Sequence, residues 1–93
     1  MKKFKVLLSE TAAKSLQAIY PHISEGIKSH LKELEIDPFR ARPKADIKVL
    51  HGFEKPHLFR IRIGEYRAVY FVVGDDVKVT EIIHRGKGYK WLE

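Results

Sequence analysis

The sequence predicts an α+β domain: two N-terminal helices packed on one face of a small, mainly antiparallel β-sheet. Three observations lead there. Apolar residues recur at helical spacing between Ala12 and Leu34. Extended, β-branched runs follow from Ile47 onward and are separated by short glycine turns. Helices and hairpins are thus segregated along the chain, the pattern of an antiparallel sheet with helices to one side. At 93 residues, a single domain over 1–93 with a modest core is expected.

Phe4-Lys5-Val6-Leu7-Leu8 reads as a first strand with Phe4, Val6 and Leu8 on one face. Ser9 suits a helix N-cap and Glu10 its first turn. Ala12, Ala13, Leu16, Ile19 and Tyr20 form the first helical stripe. Pro21 stops that helix and can open the next. Ile23, Ile27, Leu31 and Leu34 form a second stripe, weakened at Gly26, and Asp37-Pro38 ends it. PFRARPKAD, residues 38–46, reads as a basic loop. Ile47 to Leu50 is a second strand closed by His51-Gly52, Leu58 to Ile63 a third and Tyr66 to Val73 a fourth. Gly74-Asp75-Asp76 is a turn, and Val77 to Ile83 a fifth strand.

The chain carries 18 Lys+Arg against 12 Asp+Glu, a formal charge of +6. That excess favours an anionic partner, nucleic acid first. It is not segregated: residues 1–46 and 47–93 each hold 9 basic and 6 acidic residues. A basic patch must therefore arise by folding. No cysteine is present, which excludes a disulfide framework and a thiolate metal site. The five histidines lack ligand spacing, so neither a metal nor another cofactor is expected. No apolar run approaches membrane-spanning length. Val6-Leu7-Leu8 is too short for a signal sequence, so a cytoplasmic protein is expected.

In LFRIRIGEYRAVY, residues 58–70, Leu58, Arg60 and Arg62 alternate with Phe59, Ile61 and Ile63. A two-residue type II′ turn at Gly64-Glu65 puts Ile63 opposite Tyr66, Arg62 opposite Arg67, and Arg60 opposite Val69. Opposite residues share a face, so the three arginines gather there. Like charges in that position destabilise a hairpin unless something anionic joins them. The forked guanidinium suits phosphate oxygens. The alternative is a solvated face paired with carboxylates such as Glu54 or Glu65. Toward the end of the fifth strand, an even loop at Asp75-Asp76 would place His84 opposite Arg67. An odd loop would bring Arg85 near instead. Tyr89 and Trp91 lie among Arg85, Lys87 and Lys90, an aromatic and cationic mixture that suits unstacked bases. For Trp91, packing back on the sheet is an equal alternative.

Leu50-His51-Gly52, then Phe59-Arg60-Ile61-Arg62-Ile63-Gly64-Glu65-Tyr66-Arg67-Ala68-Val69-Tyr70, then Ile83-His84-Arg85 with Tyr89, resembles the RelE/ParE toxin superfamily over nearly the whole chain. The resemblance implies a RelE-like fold and the toxin of a toxin–antitoxin pair. RelE-type members are ribosome-dependent endoribonucleases that cut mRNA, and ParE-type members inhibit DNA gyrase. The partners implied are a RelB-like, acidic antitoxin, the ribosome and mRNA, with no membrane. By resemblance Arg67 contacts the scissile phosphate, Arg60 and Arg62 fill the two alternating basic positions, Arg85 is the later catalytic arginine, and Tyr89 positions the nucleotide.

RNA brings its own nucleophile, the 2′-hydroxyl, so an enzyme can cleave it by orientation and charge, without metal. Arginine cannot serve as general base. His84 is the first candidate for acid or base, and Glu81 serves only if it faces the cluster. Arg40, Arg42, Lys44 and Lys48, with Lys87, Lys90 and Trp91, are the expected contacts to RNA or ribosome. A gyrase inhibitor without chemistry, or a degenerate RNA-binding homologue, are the alternative readings.

Overall fold

The computed structural model describes residues 3–87, apart from the side chains of Phe53 and Glu54. Strand β1 (Lys5–Leu8) leads into α1 (Glu10–Gln17), α2 (Pro21–Leu31) and a single further turn, α3 (Glu33–Ile36). A four-stranded meander follows: β2 (Asp46–Glu54), β3 (His57–Ile63), β4 (Tyr66–Val73) and β5 (Asp76–His84). A 3₁₀ turn over Arg85–Lys87 comes after it. The sheet order is β1-β5-β4-β3-β2, with β1 parallel to β5 and every other pair antiparallel. The fold is α+β, with a mixed five-stranded sheet.

Local chemistry explains the elements. Ser9 caps α1, its Oγ accepting from the Ala12 amide at 3.0 Å. Pro21 sits in the first turn of α2, where a missing N–H costs nothing. Asp37 takes the extended conformation demanded before proline and ends α3. Gly64 and Gly74 adopt positive φ, 57° and 59°, at two tight hairpin turns, and no other residue type does so anywhere among the described residues.

One face of the sheet carries the core. Ala12 and Leu16 of α1, Ile27 and Leu31 of α2, and Leu34 of α3 pack on Ile47, Ile61, Ile63, Ala68, Tyr70, Val77, Val79 and Ile82. Tyr70 anchors the loop after α3 to this core, its hydroxyl donating to the Pro38 carbonyl at 2.6 Å. Burial holds that phenol far above its ordinary pKa.

Several boundaries differ from expectation. The first helix stops at Gln17, which leaves Tyr20 exposed as the cap residue of α2. The second helical stripe divides at Lys32. His51-Gly52 does not close β2. Gly52, with φ 88°, lets the chain pass through a register shift and continue to a hairpin turn at Lys55-Pro56.

Candidate active site

The Gly64-Glu65 turn fixes the register of the central hairpin. Ile63 lies opposite Tyr66, Arg62 opposite Arg67, and Arg60 opposite Val69. Period two then sends Arg60, Arg62 and Arg67 away from the helices. β2 extends the same rows, with Lys48 opposite Arg60 and Asp46 opposite Arg62. β5 adds Glu81 opposite Val69 and Ile83 opposite Arg67. One row of this open face thus reads Lys48, Arg60, Val69, Glu81, and the next Asp46, Arg62, Arg67, Ile83.

The three arginines differ in setting. Arg60 and Arg67 are sunk in the surface, 7% and 3% exposed. The Arg62 side chain stands out, 56% exposed. Arg60 Nη1 donates to the Asp46 carbonyl at 2.7 Å and to its carboxylate at 3.1 Å. Arg62 Nε lies 4.0 Å from the other carboxylate oxygen of Asp46. Arg67 Nη1 donates to the carbonyls of Gly64 and Tyr66, each at 3.1 Å, and so braces the turn. Leu50, Leu58, Val69 and Ile83 form a small apolar floor beside them. Guanidinium groups sunk on such a floor are screened less by water, so their charge acts more strongly on an anion.

The loop preceding β5 has two residues, Gly74-Asp75, yet His84 does not face Arg67. A bulge at Thr80 shifts the register between Val69 and Tyr70. His84 therefore pairs with Tyr66 on the helix side, the two rings meeting edge to face at 5.1 Å. The bulge is tied down from α1: Ser9 Oγ donates to the Thr80 carbonyl at 2.7 Å, and the Ser9 amide donates to Val79. Arg85 comes next to the turn, its amide donating to the Glu65 carbonyl at 2.8 Å. Glu65 takes both neighbours, Arg85 Nε on one oxygen and His84 Nε2 on the other, each at 3.4 Å. Glu81, by contrast, does share the face of the arginines.

Of the other basic candidates, Lys48 lies on the open face, and Lys44 and Lys87 are exposed elsewhere. Arg40 is exposed and pairs with Asp37 at 3.4 Å. Arg42 is turned inward, donating to the carbonyls of Asp37, Arg40 and Glu33. Tyr89, Lys90 and Trp91 lie outside the described residues. Sequence reasoning missed Asp46. Its signal was a carboxylate two residues before Lys48, in phase with the arginine face. Among the described residues, no three His, Asp or Glu side chains converge as a metal site requires, and no helix is long and apolar enough to cross a membrane.

The family model for the ParE toxin of type II toxin–antitoxin systems matches residues 6–89. Toxin RelE3 of Methanocaldococcus jannaschii is 32% identical over 88 residues, spanning 95% of this chain and 98% of that one. The fold matches the toxin–antitoxin structure described as the archaeal RelE-RelB complex from Pyrococcus horikoshii, with a TM-score of 0.77, 27% identity and 95% and 100% of the two chains covered. The RelB-RelE antitoxin-toxin complex from Methanococcus jannaschii gives a TM-score of 0.71 and 29% identity over 94% of this chain and 99% of that one. With the arginine hairpin of the RelE/ParE pattern standing in this fold, the chain belongs to the RelE/ParE superfamily of toxins.

Proposed function

We propose that this toxin is a metal-independent endoribonuclease that cuts mRNA on the ribosome and is neutralised by a RelB-like, acidic antitoxin. The observation that carries the reading is the open sheet face, where Arg60, Arg62 and Arg67 occupy adjacent rows of one hairpin. Three forked cations within two residue rows match the non-bridging oxygens of one backbone segment. Relatives whose solved structures are RelE–RelB complexes support the antitoxin. Action on ribosomes would put the protein in the cytoplasm.

In this mechanism the arginines bind the scissile phosphate and stabilise the charge that builds on its oxygens as the 2′-hydroxyl attacks in line. A cyclic phosphate forms as the bond to the 5′-oxygen breaks, and that oxygen leaves as a hydroxyl by taking a proton from water. Guanidinium does not give up its proton, so another group must receive that of the 2′-hydroxyl. Glu81 is on the face and in the row of Arg60, whereas His84 is turned toward Tyr66. Glu81 is therefore our preferred base, and Arg85 the added cation at the far end.

The test is end-mapping of mRNA incubated with the protein, with and without translating ribosomes of a matched host. New 3′ ends in phase with codons, present only with ribosomes and lost with Arg62→Ala, are expected. Arg62 is the informative position because its exposed side chain can be removed without opening the core. The match to a ParE model favours a second reading, gyrase inhibition. Uncut mRNA with gyrase-dependent toxicity retained in Arg62→Ala would select it.

A further inference from the structure

The open face is basic, but Arg60 and Arg62 on it, and Arg85 at the end of β5, already have carboxylate partners. Asp46 reaches Arg60 at 3.1 Å and Arg62 at 4.0 Å, and Glu65 reaches Arg85 and His84 at 3.4 Å each. Asp46 is on the open face, and Glu65 is in the turn at its end. Asp46 is opposite Arg62 at the start of β2. Glu65 is in the β3–β4 turn, one residue pair beyond the Arg62–Arg67 row, where its carboxylate meets Arg85 and also His84 on the helix side. Each is more than half exposed, so each pair is weak and readily exchanged.

We propose that Asp46 and Glu65 are built-in counter-ions that compete with RNA phosphates for Arg62 and Arg85. The inference rests on reading this face as the RNA site. A phosphate arriving at the face must displace a carboxylate, and it gains only the difference between two similar ion pairs. Free RNA is then held weakly. Productive loading needs a second body that positions the strand, which accounts for ribosome dependence from the toxin's own residues.

The probe is a short, fluorescent 2′-O-methyl RNA, which has no nucleophile and cannot be cut, titrated without ribosomes over a range of salt. Glu65→Gln and Asp46→Asn should each tighten binding by up to about fivefold at low salt, the equivalent of one exposed ion pair. Each should also steepen the dependence of log K on log salt by about 0.7, one added phosphate contact on a single strand. The pair of substitutions together should give about twice the change in slope. Glu10→Gln is the control, since Glu10 pairs with Lys14 on α1, far from this face in the chain's architecture. Its binding should match that of the parent protein.

Unchanged affinity and slope in Glu65→Gln and Asp46→Asn would overturn the proposal. So would an equal gain in Glu10→Gln, because the effect would then be net charge alone. Absence of binding in every variant would overturn it too. Glu65 is in an exposed turn, so its variant remains informative if Asp46→Asn disturbs the fold around Arg60. The probe carries no scissile linkage, so these results stand apart from whether the protein cuts mRNA.

Discussion

Adjacent residues of β3 and β4 occupy opposite environments. Ile61, Ile63, Ala68 and Tyr70 face the helices and are 8% exposed or less. Arg60, Arg62 and Arg67 alternate with them and face away. The helix side holds the molecule together through apolar area, which needs no particular chemistry beyond shape. The arginine side gathers like charges that oppose folding and must be offset by Asp46 and by the carbonyls of the turn. Strand alternation thus separates stability from chemistry within eleven residues of chain.

Exchanging the two kinds of residue is the strongest way to break the comparison. Ile61→Ala, at a fully buried central position, should lower stability by about 2–5 kcal/mol, seen as a large fall in melting temperature. The surviving folded fraction should keep the arginine face and the RNA binding proposed for it. Arg67→Lys should do the reverse. Lysine keeps the charge but not the fork, so the proposed cleavage on ribosomes should drop on the order of 100-fold. Its melting temperature should fall far less than that of Ile61→Ala. A comparable loss of stability in both variants would mean that Arg67 is a turn brace first and a phosphate ligand second.

The same alternation explains which features were legible in the sequence. Local rules sufficed where the controlling contacts are local. Gly64 in a two-residue turn set the Arg62–Arg67 pairing, and Ile23, Ile27, Leu31 and Leu34 marked the helix face. They failed for His84. The loop before β5 is even, as one of the two readings required, but the Thr80 bulge reverses the phase of the strand's last residues. That bulge is held by Ser9, 71 residues earlier in the chain. No local pattern announces a contact of that span. Gly52 likewise reads as a stop, because a glycine that ends a strand and one that bulges it look alike without the partner strand. Asp46 was overlooked because the basic composition of residues 38–46 masked the one carboxylate in phase with the arginines.

A smaller effect tests how the helix face is linked to the loop that follows α3. Tyr70 is fully buried and its hydroxyl serves the Pro38 carbonyl. Tyr70→Phe would leave that acceptor unsatisfied in a dry site, at a cost of about 1–3 kcal/mol. The loss should appear in denaturant midpoint with little change in slope, since the amount of surface exposed on unfolding is the same. RNA binding should be unaffected, because the hydroxyl is on the side away from the arginines.

The smallest effect concerns the other fastening of the same loop. The amide of Phe39 donates to Asp37 Oδ1 at 2.9 Å and lowers the carboxyl's pKa, against an opposing desolvation. The Arg40 amide and guanidinium and the Arg42 charge add to the lowering. Folding therefore favours ionised Asp37. Its contribution is complete at pH above the unfolded carboxylate's value, about 3.9, and is lost as pH falls through the lower folded value. Asp37→Asn can keep the two amide contacts but not the charge. The variant should be slightly less stable than the parent at neutral pH, and the two should converge in acid. Parallel pH–stability curves would mean that the loop is held by its backbone contacts alone. In that event Tyr70 would be the principal tie between this loop and the core.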